Sequence, residues 1–562
     1  MNPLKASRTV VVLVRPEFSE GIYGATYGKQ MRVGTKRVEP PMALMQLAGA
    51  LIEAGHEARI VDGEVENLTV DETVNRICQA RPDIVGVTAT TPENIAAAQV
   101  LRTVKRRLPG VVTVIGGAHA THVPWELADA DDAFDYVVVF EGEKAMVAIA
   151  DGDRERLRDY SDNAQRLLNR VGLPGAEHYA GRVLLGDYQT EEDLDRVRAL
   201  RDAPWIDMPQ YRGAEPELGL VVADSVETAR GCPFGCSFCS SARSGLRMRN
   251  VDNVLDELET IDHRFRRQGV RGMVLFLDDT LTIHRARATE LFEGIIRRGI
   301  DIRFRGFTRA PSITTRNGRA ADIEFVRLMR RAGSTAISLG IETGSEQLNQ
   351  EMNKGSTLDH YRRAYDILDA ADFEERRGSF IIGNPNETLG TIRESIDFAK
   401  ELGLHRVGVN IMTPYPGTDA YNRARNGQGL YFEPQASDYS QYRRWGHSVV
   451  STDALSAEAL EYWHQRFLTE VYMTAGAVRH AVTEFRGGNR SRFYFRPVFQ
   501  AHRQHKQMLR EGTWDRPPRF TPPDHAGYDP EAWGRQHVTK TDCLATLNEQ
   551  KAVAPRLQLT QV

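Results

Sequence analysis

Twice along this chain, short apolar runs of strand length alternate with longer amphipathic stretches, and that pattern dictates the fold class. Parallel strands need a crossover between them, and a helix is the usual one. The first series covers residues 9–150. Apolar runs at Thr9–Val14, Ala58–Val61, Asp83–Val87, Val111–Ile115 and Asp135–Phe140 predict strands. Between the first two, Met42–Ala54 carries apolar residues at 44, 45, 47, 48, 51 and 52, one helical face, and Gly55 stops it. Val70–Gln79 and Pro92–Arg107 predict two more helices. The expected product is an α/β unit, a Rossmann-like parallel sheet that binds ligands beyond the carboxyl ends of its strands.

The second series covers residues 221–420, with predicted strands at 222–228, 273–277, 302–307, 336–341, 378–382 and 406–411. Helices are predicted at 251–267, 285–298, 322–332, 358–371 and 388–402. Six such units fit a partial or complete parallel barrel, a (β/α)6 arrangement whose chemistry sits on the loops after the strands. A chain of 562 residues calls for about three domains. The boundaries read as 1–150 for the first sheet, 151–220 for a charge-rich connector with some helix, and 221–420 for the barrel. Residues 421–562 are rich in aromatics and Arg and read as a mixed, mainly helical region that caps the substrate cavity. Tyr439, Tyr442, Trp445 and Tyr494 are cavity or core candidates there, and the last 20 or so residues read as disordered.

Charge argues against some partners. Lys and Arg number 72 against 76 Asp and Glu, a net −4 with no basic tract, so neither nucleic acid nor an anionic membrane is expected. The apolar run Val10–Val14 is too short for a signal segment, and no window nears membrane-spanning length, so a cytoplasmic setting is expected. Five cysteines make no disulfide framework: three fall within eight residues, and only Cys78 and Cys543 lie elsewhere.

Those three, Cys232, Cys236 and Cys239, lie in ETARGCPFGCSFCSSARSG, just after the first barrel strand. Three thiolates at this spacing can hold three irons of a [4Fe–4S] cubane and leave the fourth without a protein thiolate. The competing reading is structural zinc, which wants four ligands; no second CxxC is present, and His263 and His284 stand alone in sequence.

CxxxCxxC with Phe238 before the last cysteine resembles the motif of the radical S-adenosylmethionine (SAM) superfamily. The likeness continues in FLDDT (Phe276–Thr280), SLGIETGS (Ser338–Ser345) followed by MNKG, FIIGNPNET (Phe380–Thr388) with Asn386 where Gly is common, and PYPGT (Pro414–Thr418). It implies that the open iron chelates SAM, that Phe238 and Glu342 contact SAM, and that Arg309 shares their rim. The alternative for Glu342 is a salt bridge to Arg309. Asp278 and Asp279 read equally as helix caps, and Arg247 and Arg249 as a solvated face.

A βα sheet before such a barrel resembles the cobalamin-binding domain of the cobalamin-dependent radical SAM subclass, as does its phrase PPMALMQLAGALIEAGHEARIVD. Thr88-Ala89-Thr90 and Gly116-Gly117 resemble the paired strand ends that admit the cobalamin tail, with Thr in place of Ser. The resemblance gives Thr88, Thr90, Gly116, Gly117, His119, Glu141 and Gly142 as cofactor contacts. Arg15 to Pro40 holds no histidine, so no lower cobalt ligand is assigned. The alternative is a sheet holding another nucleotide, although no GxGxxG follows its first strand.

The implied activity is methylation of an unactivated carbon (or phosphorus) of a small metabolite, through a 5′-deoxyadenosyl radical and methylcobalamin. The alternative is a cyclase, ring-contraction or rearrangement enzyme with the same cofactors. Methylthiolation would need a second cluster, for which Cys78 and Cys543 do not suffice. A noncatalytic metal scaffold would not cleave SAM. A flavodoxin or ferredoxin is the electron donor the resemblance implies.

Overall fold

The computed structural model describes residues 8–17, 38–130, 133–159, 176–186, 189–197, 199–203, 206, 208–215, 219–315, 318–373, 375–486 and 492–533. Cys543, the last 20 residues and the side chain of Tyr494 lie outside them.

Strands β1 (Val10–Arg15), β2 (Glu57–Asp62), β3 (Ile84–Thr88), β4 (Val112–Gly116), β5 (Tyr136–Val139) and β6 (Val183–Leu185) form one parallel sheet, ordered β2-β1-β3-β4-β5-β6. Parallel sheets are covered on both faces, and β1, VVVLVR, is apolar throughout for that reason. Helices Met42–Glu53 and Glu143–Asp151 bury Leu44, Met45, Ala48, Met146 and Ile149 on one face. Helices Val70–Ala80 and Asn94–Arg107 bury Val74, Ile77, Leu101 and Val104 on the other. The strand order reverses between β1 and β3, so the natural ligand crevice opens beyond Arg15 and Thr88.

The connector does more than the sequence implied. It supplies β6 to the first sheet, and β7 (Arg212–Glu215) to the second as an antiparallel edge. The second sheet continues with β8 (Gly219–Val226), leaves it for the short pair β9 (Ala229–Arg230) and β10 (Arg247–Met248), and resumes with β11 (Met273–Phe276). β12 (Arg303–Thr308), β13 (Ser334–Glu342), β14 (Arg377–Ile382) and β15 (Arg406–Ile411) complete it in the order β15-β14-β13-β12-β11-β8-β7. β7 and β15 are its two edges, so the barrel is a half-barrel rather than a closed one. Its outer face packs Phe276, Phe304, Leu339, Phe380 and Val409 against helices 251–267, 285–297, 319–331, 358–370 and 389–401.

Helix Ala457–Tyr472 covers the β15 edge. There Tyr472 Oη donates to Val407 O at 2.9 Å and accepts from Val407 N–H at 3.2 Å, while His464 Nε2 lies 2.9 Å from Val409 O. Burial pushes His464 down to about 4, so it serves as a neutral donor. β16 (Leu430–Phe432) and β17 (Val450–Thr452) pair antiparallel, and helices Ala475–Arg486 and Arg492–Arg510 finish the region.

Candidate active site

The cysteine loop is a closed lobe whose neck is the β9–β10 pair, with Arg230 opposite Arg247. Gly231 opens it at φ +92°, where a Cβ would sit 2.2 Å from Gly245 O, so only glycine fits. Within the lobe Cys232 N–H donates to Ser244 Oγ at 2.9 Å, Arg243 N–H to Phe234 O at 2.7 Å and Cys239 N–H to Cys236 O at 3.2 Å. The barrel grips it from outside: Ser237 N–H donates to Met352 O at 3.0 Å, Asn353 Nδ2 to Gly235 O at 3.1 Å, and Ala420 N–H to Ser237 O at 2.9 Å.

All three thiols are half-buried and shifted up by burial, Cys239 to about 12. Each also feels the charge of Cys236 or is Cys236 itself, which places them as one group. Three buried thiolates are stable together only where metal charge offsets them. Among the described residues no three His, Cys, Asp or Glu side chains converge as on a single ion. A cubane needs no such convergence, because each thiolate binds a different iron. Cys78 sits apart in helix 70–80, packed on the first sheet's core.

Two cations stand beside Cys236 and favour its thiolate. Lys354, buried, lies 2.7 Å from Glu342 Oε1 and also donates to Gly340 O. Arg309 stacks 3.4 Å from the centre of Phe234 in the loop and donates to Lys354 O, and burial pushes its guanidinium down. Glu342 therefore pairs with Lys354, not with Arg309 as the sequence alternative held. Glu342 ends β13 at φ +71°, past an irregularity at Gly340–Glu342 that turns its carboxylate toward the loop. Lys354 was missed; its signal was the short MNKG turn, in which Asn353 at φ +52° redirects the chain.

Asp278 is not a helix cap. It is buried, accepts Thr228 N–H at 2.7 Å and Thr228 Oγ1–H at 2.5 Å, and is pushed up to about 6 by burial. Asp279 lies near Cys232 and Cys239. Phe238 packs with Ile381 against the cluster that contains Tyr421 and Tyr442. Tyr439 and Tyr442 are thus packed aromatics, while Trp445 stays 38% exposed.

At the crevice of the first sheet, Gly117 has φ +97°, and a Cβ there would come 2.7 Å from Thr88 Oγ1. Gly116 O accepts Ala89 N–H at 3.1 Å, and Thr90 N–H donates to Glu93 at 2.7 Å. His119 is no loop residue: it lies in the short helix Ala118–His122, buried, 3.3 Å from Thr91 Oγ1, its ring 5.0 Å from that of Tyr439. Tyr439 in turn donates to Glu126 at 3.1 Å. The strand ends therefore meet the C-terminal region directly. Asn94 Oδ1 is buried there with no hydrogen-bond partner among the described residues, an acceptor that suits the amide-fringed corrin of cobalamin.

Glu141 joins the two halves instead of facing a crevice. Its carboxylate lies 2.7 Å from Arg247 and 3.3 Å from Arg230, and accepts Gln189 N–H at 2.6 Å. Arg230 also meets Glu143 at 3.0 Å and Glu227 at 2.6 Å, and Arg249 meets Glu257 at 2.6 Å. Arg247 and Arg249 are thus largely buried ion-pair partners, not a solvated face. A Cβ at Gly142 would meet only Leu47 and Val138 at ordinary distances, so nothing there requires glycine.

Residues 31–150 match the B12 binding domain family, and residues 226–399 match the radical SAM superfamily. An uncharacterised methyltransferase of Pyrococcus horikoshii is 30% identical over 394 residues, 68% of this chain and 78% of that protein. This chain belongs to the cobalamin-dependent radical SAM enzymes. The enzyme's cofactors are a [4Fe–4S] cluster, SAM and cobalamin, and the three thiols and the crevice at the end of β3 suit them. The anaerobic magnesium-protoporphyrin IX monomethyl ester cyclase of Rubrivivax gelatinosus is 29% identical over 72% of this enzyme and 68% of its own length. In fold, the enzyme resembles the radical SAM methyltransferase TsrM of Kitasatospora setae, solved with cobalamin and a [4Fe–4S] cluster: TM-score 0.59, 18% identity, 83% of this chain and 88% of that one. The cobalamin-dependent enzyme OxsB gives a TM-score of 0.60 at 14% identity, over 97% and 80%. Among the described residues no helix is long and apolar enough to cross a membrane.

Proposed function

We propose that this enzyme methylates an unactivated carbon, or a phosphorus, of a small metabolite. When bound, the cluster supplies the electron that breaks the SAM sulfonium, and cobalamin supplies the methyl group. The chain's own tasks are to hold, orient and keep dry. Cys232, Cys236 and Cys239 would hold three irons; Glu342, Arg309 and Phe238 would line the SAM side; Thr88, Thr90, Gly116, Gly117 and His119 would admit the cobalamin tail. Lys354 and Arg309 balance thiolate charge at Cys236.

One observation carries the reading: the cysteine lobe is pinned through Arg230 and Arg247 to Glu141 and Glu143, beside the end of β5. That link supports a single cavity shared by both cofactors, which direct methyl transfer needs and hydrogen abstraction alone does not. Relatives named as the hopanoid C-3 methylase of Methylococcus capsulatus and the bacteriochlorophyllide d C-12(1)-methyltransferase of Chlorobaculum tepidum support it. The cyclase relatives favour a second reading, ring closure without methyl transfer. A flavodoxin or ferredoxin would reduce the cluster, and a reducing cytoplasm would keep it intact.

Anaerobic reconstitution with iron, sulfide and cobalamin, followed by turnover with methyl-labelled SAM and mass analysis, tests this. Methylation replaces one substrate hydrogen by labelled methyl; a product that never carries the label would reject it in favour of cyclisation.

A further inference from the structure

Phe307 lies in β12, an inner strand of the seven-stranded sheet, yet 55% of it is exposed. Strands with parallel neighbours on both sides are ordinarily covered on both faces. The outer face obeys this rule, with Phe304 buried among helices. Gly306 also faces outward, since a Cβ there would strike Leu281 and Phe276. Phe307, next in alternation, faces the hollow of the half-barrel.

Its neighbours on that face make a shelf. Phe307 pairs with Ser338; Gly340 pairs with Ser379, and Ser379 with Gly408. Ser338, Ser379 and Gly408 leave the floor low beyond Phe307, while the Glu342–Lys354 pair lies over Gly340. Across it, Trp445 donates Nε1–H to Asn410 Oδ1 on β15 and leaves much of its indole exposed. From β12 to β15 is three strand spacings, about 14 Å. Of the arginines near this level, Arg377 and Arg406 are ion-paired with Glu375, Arg305 is buried on the same face as Phe307, and Arg444 lies 5.9 Å from the Trp445 ring, so the exposed faces are those of Phe307 and Trp445. Ile381 on the same sheet and Phe238 of the cysteine lobe pack against one hydrophobic cluster, which ties the shelf to the lobe.

We propose that Phe307 and Trp445 hold a rigid, largely apolar ring system of the substrate on this shelf, Phe307 being the specificity-determining contact. The inference rests on the proposed function in one respect, that the half-barrel hollow is the reaction cavity.

The probe is 1-naphthol, a neutral two-ring aromatic, titrated by fluorescence into the reconstituted enzyme. Wild type binds it, Phe307→Ala and Trp445→Ala each weaken it about tenfold, and Phe307→Tyr retains it. Binding of SAM, followed by equilibrium dialysis, stays as in wild type for all three variants. No naphthol binding by wild type, or equal binding by Phe307→Ala, overturns the proposal. So does a parallel loss of SAM by Phe307→Ala, which would make Phe307 a cofactor contact. Cobalamin content and circular dichroism identify a misfolded variant, and Phe307→Tyr, whose ring keeps the stacking face, then decides. A product without added methyl would end the methylation reading while leaving naphthol binding untouched, so the two failures are distinct.

Discussion

Replacing Arg230 by Met removes the charge at the centre of the link between the cysteine lobe and the first sheet, while keeping much of the side-chain volume. In the wild-type chain this guanidinium, 12% exposed, meets Glu227 at 2.6 Å, Glu143 at 3.0 Å and Glu141 at 3.3 Å. After the change Arg247 still offsets Glu141, but Glu143 and Glu227 lose the guanidinium they face. Removing one partner of a buried pair costs about 3–5 kcal/mol. The carboxylates keep 8–22% exposure, so the low end applies, about 3 kcal/mol. That is roughly a 150-fold rise in opened forms. Hydrogen exchange at the β9–β10 amides of the reconstituted enzyme should show roughly a 100-fold loss of protection. Methylated product per 5′-deoxyadenosine should fall with it, because a loosened lobe cleaves SAM without delivering to substrate. Unchanged protection and an unchanged ratio would refute the view that this link holds the two halves in register.

Gly117→Ala places a Cβ 2.7 Å from Thr88 Oγ1 at φ +97°. Strain of about 1–3 kcal/mol should lower cobalamin affinity roughly tenfold while iron per chain stays unchanged, as metal counting would show. Lys354→Met leaves Glu342 buried without its ion partner; SAM binding should weaken and the reduced-cluster electron paramagnetic resonance signal should change, whereas Lys354→Arg should retain both. Glu387 is buried against Asn384, and burial pushes it up from 4.5 to about 7. The fold then holds a proton that the unfolded chain releases at lower pH, so this group's contribution to stability is full below about 4.5 and falls by about 3 kcal/mol as pH climbs to about 7. Glu387→Gln should flatten that slope, measured by denaturant unfolding at about pH 5 and about pH 8.

The helical and strand series was legible because it rests on local signals. Helix 251–267 runs between the residues the apolar spacing predicts, with Asn250 accepting Asp252 N–H at its start. β11 to β15 fall within two residues of the predicted strands. The short strands β6 and β7 were not legible, since Val183–Leu185 and Arg212–Glu215 sit in charge-rich sequence and are defined by their neighbours in the sheets. The cysteine lobe was legible from spacing, but its supports were not. Arg247 reads as a surface arginine until Glu141, 106 residues away, is brought beside it. Asp278 reads as a cap until Thr228, 50 residues back, donates to it. Lys354 is hidden the same way, because the turn that buries it beside Glu342 leaves little mark in composition.

The central claim is that one iron of the cluster lacks a protein thiolate and takes SAM instead. Electron–nuclear double resonance of the reduced enzyme with SAM carrying nitrogen-15 in its amino group tests it most directly. Hyperfine coupling between that nitrogen and the cluster is expected, and Cys236→Ala should abolish it while cobalamin stays bound. A reduced cluster that binds no labelled nitrogen, with four protein ligands completing it, would contradict the account.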